Sequence, residues 1–369
     1  MKDETPTSNF QHLKFRLPLM LVAAIALLVG LWAGLVRIGW QLPPFQVAMH
    51  GQLMISGFLG TLISLERAVA IQKRLPYLAP ALTAAGTASL IIGLPDMIAR
   101  GLILLGSLVL LISFSLAYYQ HFKLNLEWAS IALIIGSLSW VIGNALWLAG
   151  FSLPHIAPWW VGFLVITIAG ERLELSRVVM LKRSSIIAFV SSASIFIVGL
   201  IVSLFTFQLG IQIGGAGLIT LGLWLIRFDV ARKTIRQTGL TRFVAACLLP
   251  GYIWIIVAGM SWIAWSDYFS AGAIYDVMLH TALIGFAFSM IFGHAPIIVP
   301  AILGIQVQYQ SKFYVPLVLL HASLILRVVG DVIFNPTLRS WGGLLNEIAI
   351  VLFLGLMVRA ATQKTQPNR

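Results

Sequence analysis

The sequence predicts an all-α polytopic membrane protein, a bundle of about twelve transmembrane helices. Of its 369 residues, 59% are hydrophobic and only 10% are charged, against roughly 25% charge in a typical soluble protein. Mean hydropathy is +0.96, and apolar runs recur to the C-terminus. Twelve spans of about 20 residues use roughly 240 positions and leave short connections. Lipid offers no partner to an unpaired backbone group, so such runs must be helices or closed-barrel strands. These runs are continuous and span-length, whereas a barrel needs alternating ten-residue segments. A soluble domain, a disordered chain and a fibrous repeat are thereby excluded.

In chain order the spans fall at 18–40, 45–65, 77–94, 98–119, 128–149 and 158–170, then 185–205, 209–226, 243–265, 273–300, 313–334 and 341–358. They form one transmembrane domain, 18–358, between cytoplasmic segments 1–17 and 359–369. The first run is too long for a signal peptide and lacks a cleavage site. The sixth span is short, and the tenth is long and contains Pro296 and Pro300. Cys247 lies inside an apolar run, so no disulfide framework or cysteine-built metal site is expected.

Charge placement fixes an orientation. With both termini cytoplasmic, 20 of the 24 Lys and Arg residues fall in inner segments. Only Arg37, Arg100 and Arg339 lie outside, and Arg327 falls within a span. That asymmetry is the positive-inside pattern. The net charge of +12 then belongs beside anionic lipid headgroups and needs no nucleic-acid partner.

A local pattern recurs in spans 2, 6 and 10. Gly57-Phe58 precedes Glu66-Arg67, Gly162-Phe163 precedes Glu171-Arg172, and Gly285-Phe286 precedes His294-Ala295, nine residues apart each time. Three four-span units in pseudo-threefold order would produce this. Gly-Phe is common in membrane helices, so the pattern alone leaves coincidence open.

Four histidines lie inside spans: His50, His280, His294 and His321. His12, His121 and His155 are expected outside them. An intramembrane ionisable group is a functional-site hypothesis by default; a neutral imidazole bonded across helices is the plainer reading. At 1.5 Å rise per residue, His50 and His280 lie roughly 8 and 10 Å below the outer boundary and can meet. Met54, Gly57 and Thr61 share the face of His50, while Ala273 and Ala287 leave space around His280. Such small residues permit close helix approach or leave a slot for a flat macrocycle. Opposed imidazoles suit haem iron better than tetrahedral zinc, which usually needs more ligands.

His294 and His321 form an inner layer that reads as a copper site, ligands of a second haem, or a polar substrate site. Copper would want a third ligand. Glu66-Arg67 and Glu171-Arg172, at inner span ends, cross-pair, bind propionates through Arg67 and Arg172, or open a proton path. On the outer side Arg327 and Asp331, at i,i+4, are expected to pair on one face, with Arg37, Asp276, Asn335 and Glu347 at similar depth. That region reads as a haem-propionate shelf or as a hydrogen-bonded helix lock.

The segments His50-Gly51-Gln52-Leu53-Met54 through Gly60-Thr61-Leu62-Ile63-Ser64-Leu65-Glu66-Arg67, with His280 through Phe292-Gly293-His294-Ala295-Pro296, resemble the NnrS family. The resemblance implies a twelve-span bacterial inner-membrane protein binding haem and copper, linked to nitric-oxide metabolism and resistance to nitrosative stress. More distantly the chain resembles the catalytic subunit of haem-copper oxidases, twelve helices in pseudo-threefold order with low-spin haem ligands from spans 2 and 10. Carried over by motif position, these are His50 and His280. Spans 6 and 7 contain no histidine, so the three-histidine copper centre is absent and an oxidase or nitric-oxide reductase mechanism does not transfer.

The leading expectation is a membrane protein binding haem b, since no Cys-x-x-Cys-His attachment motif is present, with copper or a second haem as further cofactors. Its metal ligands are His50, His280, His294 and His321, and Arg67, Arg172 and Arg327 serve the cofactor. Nitric oxide or another small ligand, a redox partner and membrane lipid are the expected partners. No catalytic residue follows. The alternative is a permease for haem, copper or a small solute.

Overall fold

The computed structural model describes residues 6–122, 127–176 and 181–363. Lys2, Lys123, Arg177, Lys364 and Arg369, five cations of the expected inner set, lie outside the described residues, as do the outermost parts of segments 1–17 and 359–369. Among the described residues every regular element is a helix.

Among the described residues twelve long helices build the bundle, with a four-residue helix, Ala231–Thr234, between the eighth and ninth: α1 (Pro6–Arg37), α2 (Val47–Ile71), α3 (Leu75–Ile91), α4 (Asp96–Phe122), α5 (Trp128–Leu148), α6 (Leu153–Leu175), α7 (Arg183–Val202), α8 (Phe207–Phe228), α9 (Gly239–Ala264), α10 (Gly272–Leu303), α11 (Tyr314–Val332) and α12 (Pro336–Thr362). All but the shorter α3 are long and apolar enough to cross a membrane. The chain is a multi-pass membrane protein.

Each helix packs on its successor, and α12 packs back on α1, closing a ring. Inside it, α10 touches both α2 and α6, so every fourth helix meets at the centre, as three four-helix units require. Burial follows this order: 78% of the apolar window of α6 is buried, against 33% for α1 and α12. Without a hydrophobic force between helices in lipid, close approach depends on small residues. Gly199 of α7 abuts the backbone of Gly214 in α8, and Gly215 of α8 abuts Gly259 in α9.

Two differences from the sequence expectation bear on the site. The sixth helix is full length. Pro154 sits in its first turn, where a missing N–H costs least, Pro158 lies inside the helix, and its charged end stays helical because Glu171 and Arg172 both find partners. His155 therefore stands in the first turn of α6, exposed, with Nδ1 2.9 Å from Ser152 Oγ. Secondly, α2 and α10 each widen into a π-helical stretch, Leu53–Gly60 and Thr281–Phe288. Such turns occur often at functional sites. Each begins within three residues of a half-buried histidine.

Candidate functional site

His50 opens α2 after a short 3₁₀ turn, Val47–Met49. Its Nδ1 is 2.7 Å from the carbonyl of Gly30 in α1. A carbonyl only accepts, so Nδ1 carries the proton and the Nε2 lone pair is left free. His280 of α10 is fixed likewise: Nδ1 is 3.0 Å from the carbonyl of Asp276 and 3.2 Å from Asp276 Oδ1. The two imidazoles face each other with centroids 6.3 Å apart and planes 28° from parallel.

Both rings line a small cavity of about 50 Å³ between α1, α2, α10, α11 and α12. Leu31, Ile38, Met54, Leu283, Ile284 and Phe288 give it apolar walls. Gly34 keeps one side open, because a Cβ there would sit 3.1 Å from the His50 ring and 3.2 Å from Glu347 Oε1. Of the neighbours expected beside the two histidines, only Met54 lines the cavity. Gly57 faces Ala26 and Thr87 instead, and neither Thr61 nor Ala273 nor Ala287 is in the lining. The π-helical stretches change the angle per residue after each histidine, so a uniform 100° count misplaces Gly57, Thr61 and Ala287; Ala273 precedes its stretch and is not explained by it.

Three polar side chains enter the cavity: Arg327, Asn346 and Glu347. Arg327 closes a two-pronged pair on Asp276, with Nε to Oδ2 at 2.7 Å and Nη2 to Oδ1 at 2.8 Å. Its Nη2 lies 3.5 Å from His280 Nε2. The expected Arg327–Asp331 pair within α11 does not form. Asp331 pairs with Arg339 at 2.9 Å, because the planar guanidinium fork of Arg327 matches a carboxylate across the helix interface. Asn335 caps α12 by accepting from the N–H groups of Thr337 and Leu338. Asn346 donates to Leu320 O and Ser323 Oγ, and its Oδ1 is buried without a partner.

The facing imidazoles have the donors and the separation that one metal held between them would need. Two imidazoles on one metal, at about 2 Å per bond, set ring centroids roughly 6 Å apart. Both Nδ1 protons are held by backbone carbonyls, the outer-shell arrangement that orients histidine ligands, and an arginine stands at the rim.

A second polar cluster lies toward the opposite ends of α2, α6 and α10. Arg67 bridges Glu66, at 3.0 Å, and Glu171 of α6. The next residue, Arg172, is 3% exposed and grips Asp229 at the end of α8, Nε to Oδ2 at 2.7 Å and Nη2 to Oδ1 at 3.0 Å. Its remaining nitrogen, Nη1, is 3.4 Å from His294 Nε2, while His294 Nδ1 donates to Met290 O at 2.7 Å. The three repeat positions thus meet at the centre of the bundle.

The site residues named from sequence separate into distinct places. His50, His280 and Arg327 share the cavity; Arg67 and Arg172 do not line it and are committed to carboxylates. His321 is not drawn to His294. Its Nδ1 accepts from Trp254 Nε1 at 3.0 Å, so Nε2 carries the proton, 3.3 Å from Ser289 Oγ. Among the described residues no group of three or more His, Cys, Asp or Glu side chains is arranged to hold a metal ion. Two functional positions escape sequence reasoning. Asp229 is a lone acid in an otherwise basic connection, and Asn346 is a polar residue beside Glu347 in an apolar run.

Fold and site together define a helical membrane protein with a buried, bis-histidine cavity between its first, second and last three helices. The chain belongs to the family described as Domain of unknown function (DUF8744), whose family model matches residues 16–362. No curated protein and no solved structure matches it.

Proposed function

We propose that the protein binds haem b in the cavity between His50 and His280 and acts in nitric-oxide metabolism or the nitrosative-stress response. The observation that carries the haem reading is the facing pair: centroids 6.3 Å apart, both Nδ1 atoms occupied by backbone carbonyls. The nitric-oxide part rests on the resemblance of the His50–Arg67 and His280–Pro296 segments to the NnrS family. The charge asymmetry supports a bacterial inner-membrane location with both termini cytoplasmic.

When bound, haem supplies one-electron chemistry and a metal able to take small ligands. The chain's own residues do the rest. His50 and His280 would hold it through Nε2, with their rotation fixed by Gly30 and Asp276. Leu31, Ile38, Ile284 and Phe288 exclude water, so that polarity around the site is set by few groups. Arg327 stands where a propionate is neutralised. Of the two readings of that region, shelf and helix lock, Arg327 serves both: it locks α11 to α10 through Asp276 and keeps Nη1 without a hydrogen-bond partner among the described residues.

Visible absorption of the detergent-purified protein, oxidised and reduced, with a metal count, tests the reading. A b-type low-spin spectrum is expected, lost or sharply altered in His50→Ala and His280→Ala and retained in His155→Ala. Folded protein that takes up no haem when supplied with it overturns the assignment and puts the permease reading first.

A further inference from the structure

We propose that the cleft between the end of α8 and the connection to α9 binds the phosphate headgroup of an anionic phospholipid, with preference for a lipid carrying two phosphates. This does not depend on the haem reading.

The cleft has a volume of about 470 Å³ and is lined by Leu181, Arg227, Phe228, Asp229, Arg232, Lys233 and Arg236. Four of the seven are cations, all of them exposed. None of the four has an ion pair among the described residues. The single acid is already neutralised: Asp229 accepts two bonds from Arg172 and one from the N–H of Ala231 at 2.6 Å. That leaves a concentrated, uncompensated positive potential.

A solvated basic loop is the ordinary fate of such charges near a membrane. Here two features differ from that. The cations converge on one concave volume, and Asp229 bolts the loop to the buried Arg172, so the lining is held in place. Its level selects the ligand. Arg227 lies in the last turn of α8 and α9 begins at Gly239, which sets the cleft where a spanning helix leaves the hydrocarbon. Phe228 and Leu181 supply an apolar wall, and the Arg227 guanidinium lies over the Phe228 ring at 5.4 Å. A free phosphate has no use for that wall, whereas the glycerol and upper acyl carbons of a lipid do. Basic pockets at the membrane face recognise such headgroups, and four cations can offer each of two phosphodiesters a pair of partners.

The test is native mass spectrometry of the full chain in mild detergent, titrated separately with cardiolipin, phosphatidylglycerol and phosphatidylcholine. Cardiolipin is expected to bind most tightly and phosphatidylcholine least. Each lost cation should weaken binding about fivefold, so Arg232→Gln/Lys233→Gln/Arg236→Gln should lose roughly 100-fold, and Arg227→Gln alone about fivefold. Lys73→Gln/Arg74→Gln, in the exposed α2–α3 connection at the same end of the bundle, should change nothing. An equal loss in that control, or undiminished binding by the triple variant, would overturn a defined site. Displacement of cardiolipin by equimolar inorganic phosphate would overturn the lipid as its occupant.

Discussion

His280 and His294, fourteen residues apart on α10, meet the same arrangement. Each Nδ1 donates to the carbonyl four residues earlier. Each Nε2 faces an arginine, at 3.5 Å from Arg327 and 3.4 Å from Arg172. Each arginine is closed on an aspartate by two hydrogen bonds, Asp276 in one case and Asp229 in the other. The difference is what stands beside them: His280 shares a cavity with His50.

The Arg172–Asp229 pair is deeply buried, its side chains 4% and 0% exposed. Removing one partner strands the other charge, which typically costs about 3–5 kcal/mol. Asp229→Ala is therefore expected to unfold at markedly lower temperature in detergent, while the apolar double replacement Arg172→Met/Asp229→Leu recovers much of the loss. Thermal unfolding of the three proteins decides this, and a single variant as stable as wild type would contradict the pairing.

Arg67 holds two carboxylates, so the loss of either leaves the other. Glu66→Gln and Glu171→Gln are each expected to cost under about 1 kcal/mol, as at partly exposed pairs, since each keeps some solvent contact. The double variant should cost more than the two together, because Arg67 is then left without a counter-charge. Simple additivity in a double-mutant cycle would mean that the two acids do not share this arginine. Loss of activity in Glu66→Gln with haem content and folding intact would instead favour a proton path.

Much of the fold was legible because a lipid environment writes it into composition: span-length apolar runs leave the chain no choice but helices. The histidine pair was legible from depth alone, since His50 and His280 both enter from the same end. What surrounds them was not. The π-helical stretches Leu53–Gly60 and Thr281–Phe288 leave no mark in residue spacing and rotate every later side chain. Partner choice was equally hidden. Arg327 has Asp331 four residues on, yet it pairs with Asp276 of another helix, a choice made by tertiary approach and not by helical periodicity. The Glu66, Glu171 and His294 repeat was visible, and its meaning came only when Arg67 reached Glu171 and Arg172 reached His294.

Topology is checked by accessibility. Cys247 is fully buried, so Cys247→Ala gives a silent background for new thiols. Tyr268→Cys lies beyond one end of α9 and Arg232→Cys before the other. They are expected to react with an impermeant maleimide from opposite faces, Tyr268→Cys from the periplasm and Arg232→Cys only after the cells are opened. Reaction of both from one side would break the helix count, and a swapped pattern would reverse the orientation.

Asp276 joins the cavity to its support. Its carbonyl and Oδ1 both approach His280 Nδ1, and its carboxylate anchors Arg327. Outer partners of a histidine ligand typically contribute 10–100-fold to affinity for the group it holds. Asp276→Asn is expected to weaken haem binding by about that factor, measured by titration of the haem-depleted protein, with Asp331→Asn near wild type. Equal effects of the two would assign the cluster to helix packing alone.

Gly34 separates the cavity from the surrounding packing most directly. It lies on α1, outside both histidine-bearing helices, and a Cβ at this position meets the His50 ring at 3.1–3.3 Å and Glu347 at 3.2 Å. Alanine demands a shift of a few tenths of an ångström, which the flexible Glu347 side chain can supply. Leucine cannot be housed without filling the space between Leu31, Ile38 and the imidazoles. Gly34→Ala should therefore keep most of its haem and Gly34→Leu should lose it, because the added carbons press on the His50 ring and Glu347. Haem-to-protein ratio together with size-exclusion behaviour reads the two effects separately. A Gly34→Leu protein with full haem and an unchanged low-spin spectrum would place the macrocycle elsewhere, even if His50 and His280 proved essential for stability.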